Sequence, residues 1–169
     1  MFPLVIDADA QILRTVCNPV QHFDDALASF VEEMIETMTA PDPETQVVGI
    51  GLAANQINVN TRVLLITQNV GTKKDYKILP MINPEILELS RKKIWMEEGC
   101  LSLPGVFGSV ERPAKVKVRW QNISGNWCEK KLDKWDARIF LHEYDHLEGI
   151  LFTDYPVKNL QHQRPDPSC

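Results

Sequence analysis

The sequence has no long apolar run and no excess of basic charge. No stretch approaches the roughly 20 apolar residues that a membrane-spanning helix needs. The net charge is −5, which argues against a non-specific nucleic-acid binder, because such a protein presents a basic face to the phosphates. The first residues, MFPLVIDADAQ, contain no basic segment, so we expect neither a secretion signal nor a transit peptide.

The cysteines form no CxxC pair. They are Cys17, Cys100, Cys128 and Cys169. Because the chain is neither short nor rich in cysteine, we expect free thiols in a reducing compartment rather than a disulfide framework. With 169 residues the chain is long enough for one domain with its own core.

Hydrophobic periodicity predicts two helices and several strands. Apolar residues of DDALASFVEEMIETM recur at spacings of three and four, which indicates an amphipathic helix capped by Asp24 or Asp25. DARIFLHEYDHLEG predicts a buried helix that begins near Asp136 and ends at Gly149. RVLLIT, AKVKVRWQN and WCEKKL predict strands, whereas the prolines of YKILPMINPEIL predict broken strands. We expect one α+β domain over residues 1–169, with a flexible tail after about residue 157.

The segment HEYDH predicts a metal site on the second helix. His142 and His146 are four residues apart and project from the same side, with Glu143 beside them. In this HExxH pattern the imidazoles bind a divalent ion and the carboxylate handles a proton. The alternative is a pair of partly buried histidines whose ring nitrogens bond backbone carbonyls, because unpartnered imidazoles would be costly there.

A catalytic metal site usually has a third protein ligand and one open position. The later histidine of HExxHxxGxxH zinc peptidases is absent, since ILF follows Gly149. Cys100, within EEGCLSLPG, is a candidate because a thiolate binds Zn²⁺ or Fe²⁺ strongly. The alternative for Cys100 is a small buried hydrophobic residue.

Three motifs, GIGLAANQ, EGCLS and HEYDH, follow one another along the chain. In these motifs and their order the sequence resembles the peptide deformylases, whose motifs are GxGxAAxQ, EGCxS and HExxH. The resemblance runs from about Ile12 to Asp154. It implies an α+β fold in which antiparallel or mixed β-sheets pack around a central HExxH-bearing helix, with an additional N-terminal helix.

The resemblance also implies an activity and a metal. The activity is removal of the formyl group from the N-terminal formyl-methionine of newly made proteins, with release of formate. Cys100, His142 and His146 would bind one divalent ion, with a nucleophilic water at the fourth position. The family typically uses Fe²⁺, and Zn²⁺, Ni²⁺ or Co²⁺ can substitute.

By the same resemblance, Glu143 is the general base and acid, and Gln56 and the backbone N–H of Leu101 stabilise the oxyanion. The implied substrate-binding residues are Ile50, Gly51, Gly99, Met96, Trp135 and Ile139. The extended peptide would pair with the backbone near Ile50, Gly51 and Gly99. The methionine side chain would enter a pocket whose walls are Ile50, Met96, Trp135 and Ile139. For each of these wall residues, the alternative is an ordinary packing position in the hydrophobic core.

The expected partners are N-formylmethionyl nascent polypeptides, with neither membrane nor direct nucleic-acid binding. Many bacterial relatives continue into a basic C-terminal helix thought to meet the ribosome, but only YPVKNLQHQRPDPSC follows Asp154. A transient ribosome contact stays open, although we do not expect docking through such a helix. A bacterial-type cytoplasmic location is expected, with an organelle as the alternative.

Three other functions stay open. GIGLAA fits a loose dinucleotide-binding pattern, although the polar, proline-containing loop before it is not the strand that such a site needs. A general zinc peptidase is the second, and a non-catalytic deformylase-like binding module is the third.

Overall fold

The computed structural model describes residues 1–41, 46 and 48–162, which form a mixed α+β structure. The helices are α1 (Asp25–Thr39) and α2 (Lys134–Leu147). The strands are β1 (Gly51–Ala53), β2 (Val63–Gln68), β3 (Lys77–Leu89), β4 (Lys93–Cys100), β5 (Leu103–Pro113), β6 (Lys115–Gln121), β7 (Trp127–Asp133) and β8 (Val157–His162). Every strand pairing among these residues is antiparallel. In the described part of the chain, no helix has the length and apolarity to cross a membrane.

The larger sheet separates the two helices. Its strand order is β1-β2-β3-β6-β7, and all six residues of β2 are buried. Alternate side chains of β2 enter different cores: Leu64 and Ile66 join the cluster around α2, whereas Val63 and Leu65 join the cluster around α1. Because successive side chains of a strand point to opposite faces, this burial requires a layer of packing on each side of the sheet.

Helix α1 begins where the sequence predicts, at one of the two candidate caps. The Asp24 side chain accepts a hydrogen bond from the Leu27 amide at 3.0 Å, which satisfies one of the free N–H groups of the first turn. Val31, Met34 and Met38 follow at helical spacing and are buried against the sheet.

The prediction of broken strands around Pro80 and Pro84 is wrong, since β3 is one strand of 13 residues. Pro80 faces Leu65 of β2 and lies in the half of β3 that pairs with β2 alone. Because no described strand pairs with the other edge of β3 at this position, no hydrogen bond on that side requires the N–H that proline lacks. Pro84 falls at an irregularity between Ile82 and Glu85, where pairing passes to β6. The prolines therefore mark the change of partner rather than the end of the strand.

The smaller sheet has the order β4-β5-β8. The hairpin of β4 and β5 carries the EGCLS motif at its turn, so Cys100 lies at the end of β4. The sequence predicts a flexible tail after about residue 157, but residues 157–162 instead pair with β5 as an edge strand. Residues 163–169, the rest of that tail, lie outside the described residues.

Helix α2 contacts both sheets, through β1, β2, β6 and β7 on one side and β5 on the other. It begins two residues before the predicted Asp136, which accepts a hydrogen bond from the Asn69 amide at 3.0 Å and so ties the β2–β3 loop to the helix. The helix ends before Gly149, whose φ of +73° belongs to the left-handed region that terminates helices. A Cβ at Gly149 would also meet the Arg14 backbone at 2.7 Å.

Candidate active site

The structure brings together one thiol and two imidazoles from distant parts of the chain. Cys100 comes from the end of β4, and His142 and His146 come from adjacent turns of α2. Ligand atoms of all three lie within 4.8 Å of one another, and Cys100 Sγ is 3.2 Å from His146 Nε2. Both histidines are buried, which agrees with their position on a helix that is packed on several sides.

These side chains fit a tetrahedral metal ion. A thiolate at 2.3 Å and an imidazole at 2.0 Å from a tetrahedral Zn²⁺ are separated by about 3.5 Å. The observed 3.2 Å between Cys100 Sγ and His146 Nε2 is close to that value. A thiolate with two imidazoles is a donor set that Zn²⁺, Fe²⁺, Co²⁺ and Ni²⁺ accept. The three residues could therefore hold a single divalent ion.

Glu98 fixes the ring of His142. Its Oε2 lies 2.8 Å from His142 Nδ1, which leaves Nε2 of the same ring as the ligand atom. Burial alone would raise the pKa of the Glu98 carboxyl, but hydrogen bonds from His142 and Arg112 hold this pKa well below its usual range. The charged carboxylate therefore favours the tautomer with a proton on Nδ1. Glu98 is therefore a hydrogen-bond partner of a candidate metal ligand.

Arg112 continues this network away from the ligands. Its guanidinium bonds Glu98 through Nε at 2.6 Å and through Nη2 at 3.0 Å. Its Nη1 donates to Asp145, whose other oxygen accepts from the Tyr155 hydroxyl at 3.2 Å. Arg112 and Asp145 thus form an ion pair. Because both partners are buried, the pair belongs to the interior of the fold rather than to its surface.

Glu143 follows His142 directly on α2 and occupies a tightly packed position. It is 5% exposed, and its Oε2 has no hydrogen-bond partner among the described residues. Burial raises the pKa of Glu143 to about 7. Gly51 of β1 lies directly against the carboxyl, because a Cβ at Gly51 would come within 2.8 Å of the Glu143 Cγ and Cδ atoms. An unpartnered buried carboxylate oxygen is costly in a protein interior unless another group bonds to it.

Gln56 approaches the same centre from the 3₁₀ segment Ala54–Ile57. The Ala53 amide donates to Gln56 Oε1 at 2.8 Å, which turns Nε2 towards Ser102 Oγ at 3.2 Å and Cys100 Sγ at 3.5 Å. Leu101 follows Cys100 directly and lies in the turn between β4 and β5. The structure therefore places both predicted oxyanion donors next to Cys100.

The predicted substrate-binding residues lie in three places. Gly51 and Gly99 belong to β1 and β4, which are edge strands of their sheets within the described residues. Ile50 and Trp135 are more than a third exposed, whereas Ile139 is buried in the core cluster around α2. Ile139 thus contacts the core, and its role as a pocket wall stays a prediction.

The family model of polypeptide deformylase matches residues 2–163 of the sequence. The chain belongs to the peptide deformylase family. A peptide deformylase of Thermotoga neapolitana is 42% identical over 151 residues, which are 88% of this chain and 85% of that protein. The crystal structure of the Thermotoga maritima peptide deformylase superimposes with a TM-score of 0.81 at 39% identity, covering 92% of this chain and 97% of the other. A probable peptide deformylase from Synechococcus phage S-SSM7 gives a TM-score of 0.81 at 36% identity, covering 92% and 100%.

Two residues of this deformylase-family site escaped the sequence analysis. Asn55 Nδ2 donates to the backbone carbonyl of His146, and Arg138 Nη1 donates to Glu98 at 2.7 Å. Asn55 lies within the GIGLAANQ motif, in which the resemblance implied a catalytic role only for the neighbouring Gln56. Arg138 stands one helical turn before His142, and an arginine within an apolar helix was the signal that could have found it.

Proposed function

We propose that this protein is a metal-dependent hydrolase that removes the N-formyl group from N-terminal formyl-methionine. The observation that carries the proposal is the convergence of the ligand atoms of Cys100, His142 and His146 within 4.8 Å of one another. Glu143, the residue after His142, is buried and keeps a carboxylate oxygen without a hydrogen-bond partner among the described residues. A water oxygen would add to the formyl carbon, and the bond from this carbon to the methionine nitrogen would break. The products are formate and a peptide with a free α-amine.

Cys100, His142 and His146 would hold the divalent ion, which we propose to be Fe²⁺ in the cell. When bound, such an ion lowers the pKa of a water ligand from 15.7 to about 7 and so supplies a nucleophile at neutral pH. The hydrogen bond from His142 Nδ1 to Glu98 supports this assignment, because it orients the ring with Nε2 free for coordination. Zn²⁺, Ni²⁺ or Co²⁺ can replace Fe²⁺ in this donor set.

Glu143 would take the proton of the attacking water and deliver it to the departing amine. Oε2 of this carboxylate has no competing donor among the described residues, so it is available to accept that proton. Gly51 supports the role, because its missing side chain lets the carboxyl rest against β1. A positioned general base of this kind contributes about 10²–10⁴-fold to the rate.

Gln56 and Leu101 would stabilise the negative oxygen of the tetrahedral intermediate. The bond from the Ala53 amide to Gln56 Oε1 holds the side-chain amide with its N–H groups towards Cys100, before any substrate arrives. The backbone N–H of Leu101 would be the second donor. Donors that are fixed in advance are the effective ones, because they need not reorganise during the reaction.

The substrate would lie extended between the two edge strands. Its backbone would pair with Ile50 and Gly51 on one side and with Gly99 on the other, as an added strand. The methionine side chain would contact Met96 and Trp135, which are partly exposed. Ile50 and Ile139 would complete the walls. Formyl is the smallest acyl group, so a cramped site would accept it and refuse larger ones.

In the cell we propose that the whole chain acts as one catalytic domain, built around α2 with α1 as its N-terminal helix. Its partners would be nascent polypeptides that still carry the formyl group. The compartment would be the bacterial-type cytoplasm.

The test is a comparison of acyl groups on one short peptide. Anaerobically prepared, Fe²⁺-loaded protein is mixed with formyl-Met-Ala-Ser, acetyl-Met-Ala-Ser or the unblocked peptide. We expect formate and free amine from the formyl peptide alone. Cleavage of the unblocked peptide would indicate a general zinc peptidase instead, and no reaction of any peptide with metal-loaded protein would indicate a binding module.

A further inference from the structure

Arg138 joins α2 to the smaller sheet from a buried position. Its side chain is on the same side of the helix as His142, which is four residues later, and the residue is 3% exposed. The guanidinium donates three hydrogen bonds: to Glu98 Oε1 at 2.7 Å, to the Val110 carbonyl at 2.9 Å and to the Ile94 carbonyl at 2.8 Å. One side chain therefore connects the helix with both β4 and β5.

Arg138 also completes the hydrogen bonding of Glu98. Oε1 of this carboxylate accepts from Arg112 Nε and Arg138 Nη1, and Oε2 accepts from Arg112 Nη2 and His142 Nδ1. A carboxylate has about four lone-pair directions, so every one of them is used. Arg112 is shared with Asp145 on its far side, whereas Arg138 bonds no other carboxylate in the described chain.

The charges of this buried cluster balance only with Arg138 present. Glu98 and Asp145 contribute two negative charges, and Arg112 and Arg138 contribute two positive ones. Removing one member of a buried ionic cluster is strongly destabilising, because it leaves an uncompensated charge. Without Arg138, Oε1 of Glu98 would keep one donor, and the carboxylate could turn away from the His142 ring.

The hydrogen bonds from Arg138 to the two backbone carbonyls affect the position of the third candidate ligand, Cys100. Ile94 and Cys100 belong to the same strand, β4, and Val110 lies on its partner β5. The bonds from Arg138 to these carbonyls set the distance between the hairpin and α2. They therefore also constrain how far the Cys100 thiolate lies from the imidazole of His146.

We infer that Arg138 is a positioning residue for the metal centre, which holds Glu98 against His142 and holds the Cys100-bearing hairpin against α2. The inference rests on the proposed metal site. Arg138 acts through its neighbours, since it bonds neither a ligand atom nor the nucleophile. Partners of this kind typically change metal affinity 10–100-fold when they are removed.

The test measures metal binding rather than turnover alone. Arg138→Met removes the charge and all three hydrogen bonds, and Arg138→Lys keeps the charge but cannot reproduce the planar fork. Zn²⁺ affinity is measured by competition with a chelator, and the ligand field is followed by the absorption spectrum of the Co²⁺-loaded protein. We expect a 10–100-fold weaker Zn²⁺ affinity and altered Co²⁺ bands for Arg138→Met, with a smaller change for Arg138→Lys.

Arg62→Met is the matched control. Arg62 is partly buried, with its side chain 15% exposed, and it pairs with Glu148 at 2.6 Å near the other end of α2. It forms no ion pair with Glu98 among the described residues. Its Zn²⁺ affinity should stay within about twofold of the wild type, even where the unfolding temperature falls. Wild-type affinity and Co²⁺ bands in Arg138→Met, or a loss equal to that of Arg62→Met, would overturn the inference.

If Arg138→Met does not fold, the same two readings on Arg138→Lys decide, with unchanged affinity and bands counting against the inference. The outcome is separate from that of the proposed function. If the wild-type protein releases no formate, the proposed deformylase function is refuted. The metal affinities of the variants still test whether Arg138 positions the metal centre.

Discussion

The contact between Gly51 and Glu143 predicts that a single methyl group will disable the site. In Gly51→Ala, the new Cβ would lie 2.8 Å from both Cγ and Cδ of Glu143. Carbon atoms prefer separations of about 3.5–4.0 Å, so the carboxyl must move by about 1 Å. Gly51 does not have a left-handed backbone, so the alanine itself adds no backbone strain and the collision is the whole effect.

A displacement of about 1 Å at a reacting group can cost about 10²-fold in rate, which corresponds to about 2.7 kcal/mol in the activation free energy. We therefore expect kcat/KM for a formyl-Met peptide to fall about 100-fold in Gly51→Ala. Bound metal should stay at the wild-type ratio, since the three atoms nearest to the new Cβ all belong to Glu143 and none to a candidate ligand. The measurements are steady-state kinetics and metal content of the same preparation.

A double-mutant cycle with Glu143→Asp separates the collision from other effects. Aspartate is one methylene shorter, so it leaves space for the Cβ at position 51. Gly51→Ala should then cost much less in the Glu143→Asp background than in the wild type, which gives a large interaction energy. Additive losses in the cycle, or a Gly51→Ala enzyme within threefold of the wild type, would refute the steric reasoning.

Three further results are expected. Cys100→Ala or His146→Ala should reduce the metal-to-protein ratio after dialysis from about one to near zero, because two protein ligands do not make a tight site; full retention would contradict the ligand set. Arg112→Met should lower the free energy of unfolding in urea by about 3–5 kcal/mol, because it leaves buried carboxylates uncompensated; a loss below about 1 kcal/mol would contradict this. Burial raises the pKa of the Cys17 thiol from 9.0 to about 11. As the pH rises, the thiol therefore loses its proton in the unfolded chain before it does so in the folded protein. The free energy of unfolding should consequently fall by about 2 kcal/mol between pH 8 and pH 10.5 through this thiol alone. Urea unfolding at pH 8 and 10.5 should show that extra decline in the wild type and not in Cys17→Ala, and parallel declines would contradict it.

The elements that the sequence predicts well are those with a strong local signal. The spacing of apolar residues and the Asp24 cap define α1, and alternation defines β6. The three candidate ligands could be predicted because HExxH places two histidines on one helix face, and the order of the three motifs identifies Cys100 as the third. In each case a few neighbouring residues carry the information.

The corrections arise where a distant partner decides. Pro80 and Pro84 looked like strand breakers, but β3 changes partners at that point, and nothing local shows which ladder lacks an N–H. Asp136 looked like a cap, but the Asn69 amide bonds it across 67 residues. The polar segment at 157–162 looked like a free tail, but β5 offered an open edge.

The missing part of the candidate site has the same cause. The hydrogen bonds from Arg112 and Arg138 that saturate Glu98 span 14 and 40 residues of the chain. A buried arginine has no periodic signature, because the helix pattern registers only that a polar residue interrupts an apolar face. Such networks become visible once the sheet and the helix are placed together.

The most direct test of the account compares the wild type with Glu143→Ala in two measurements on one preparation, bound metal and release of formate from formyl-Met-Ala-Ser. If Glu143 is the general base, both proteins should hold about one metal ion per chain and the variant should release formate at least 100-fold more slowly. A metal-loaded wild type without activity, or a variant within a few-fold of the wild type, would contradict it.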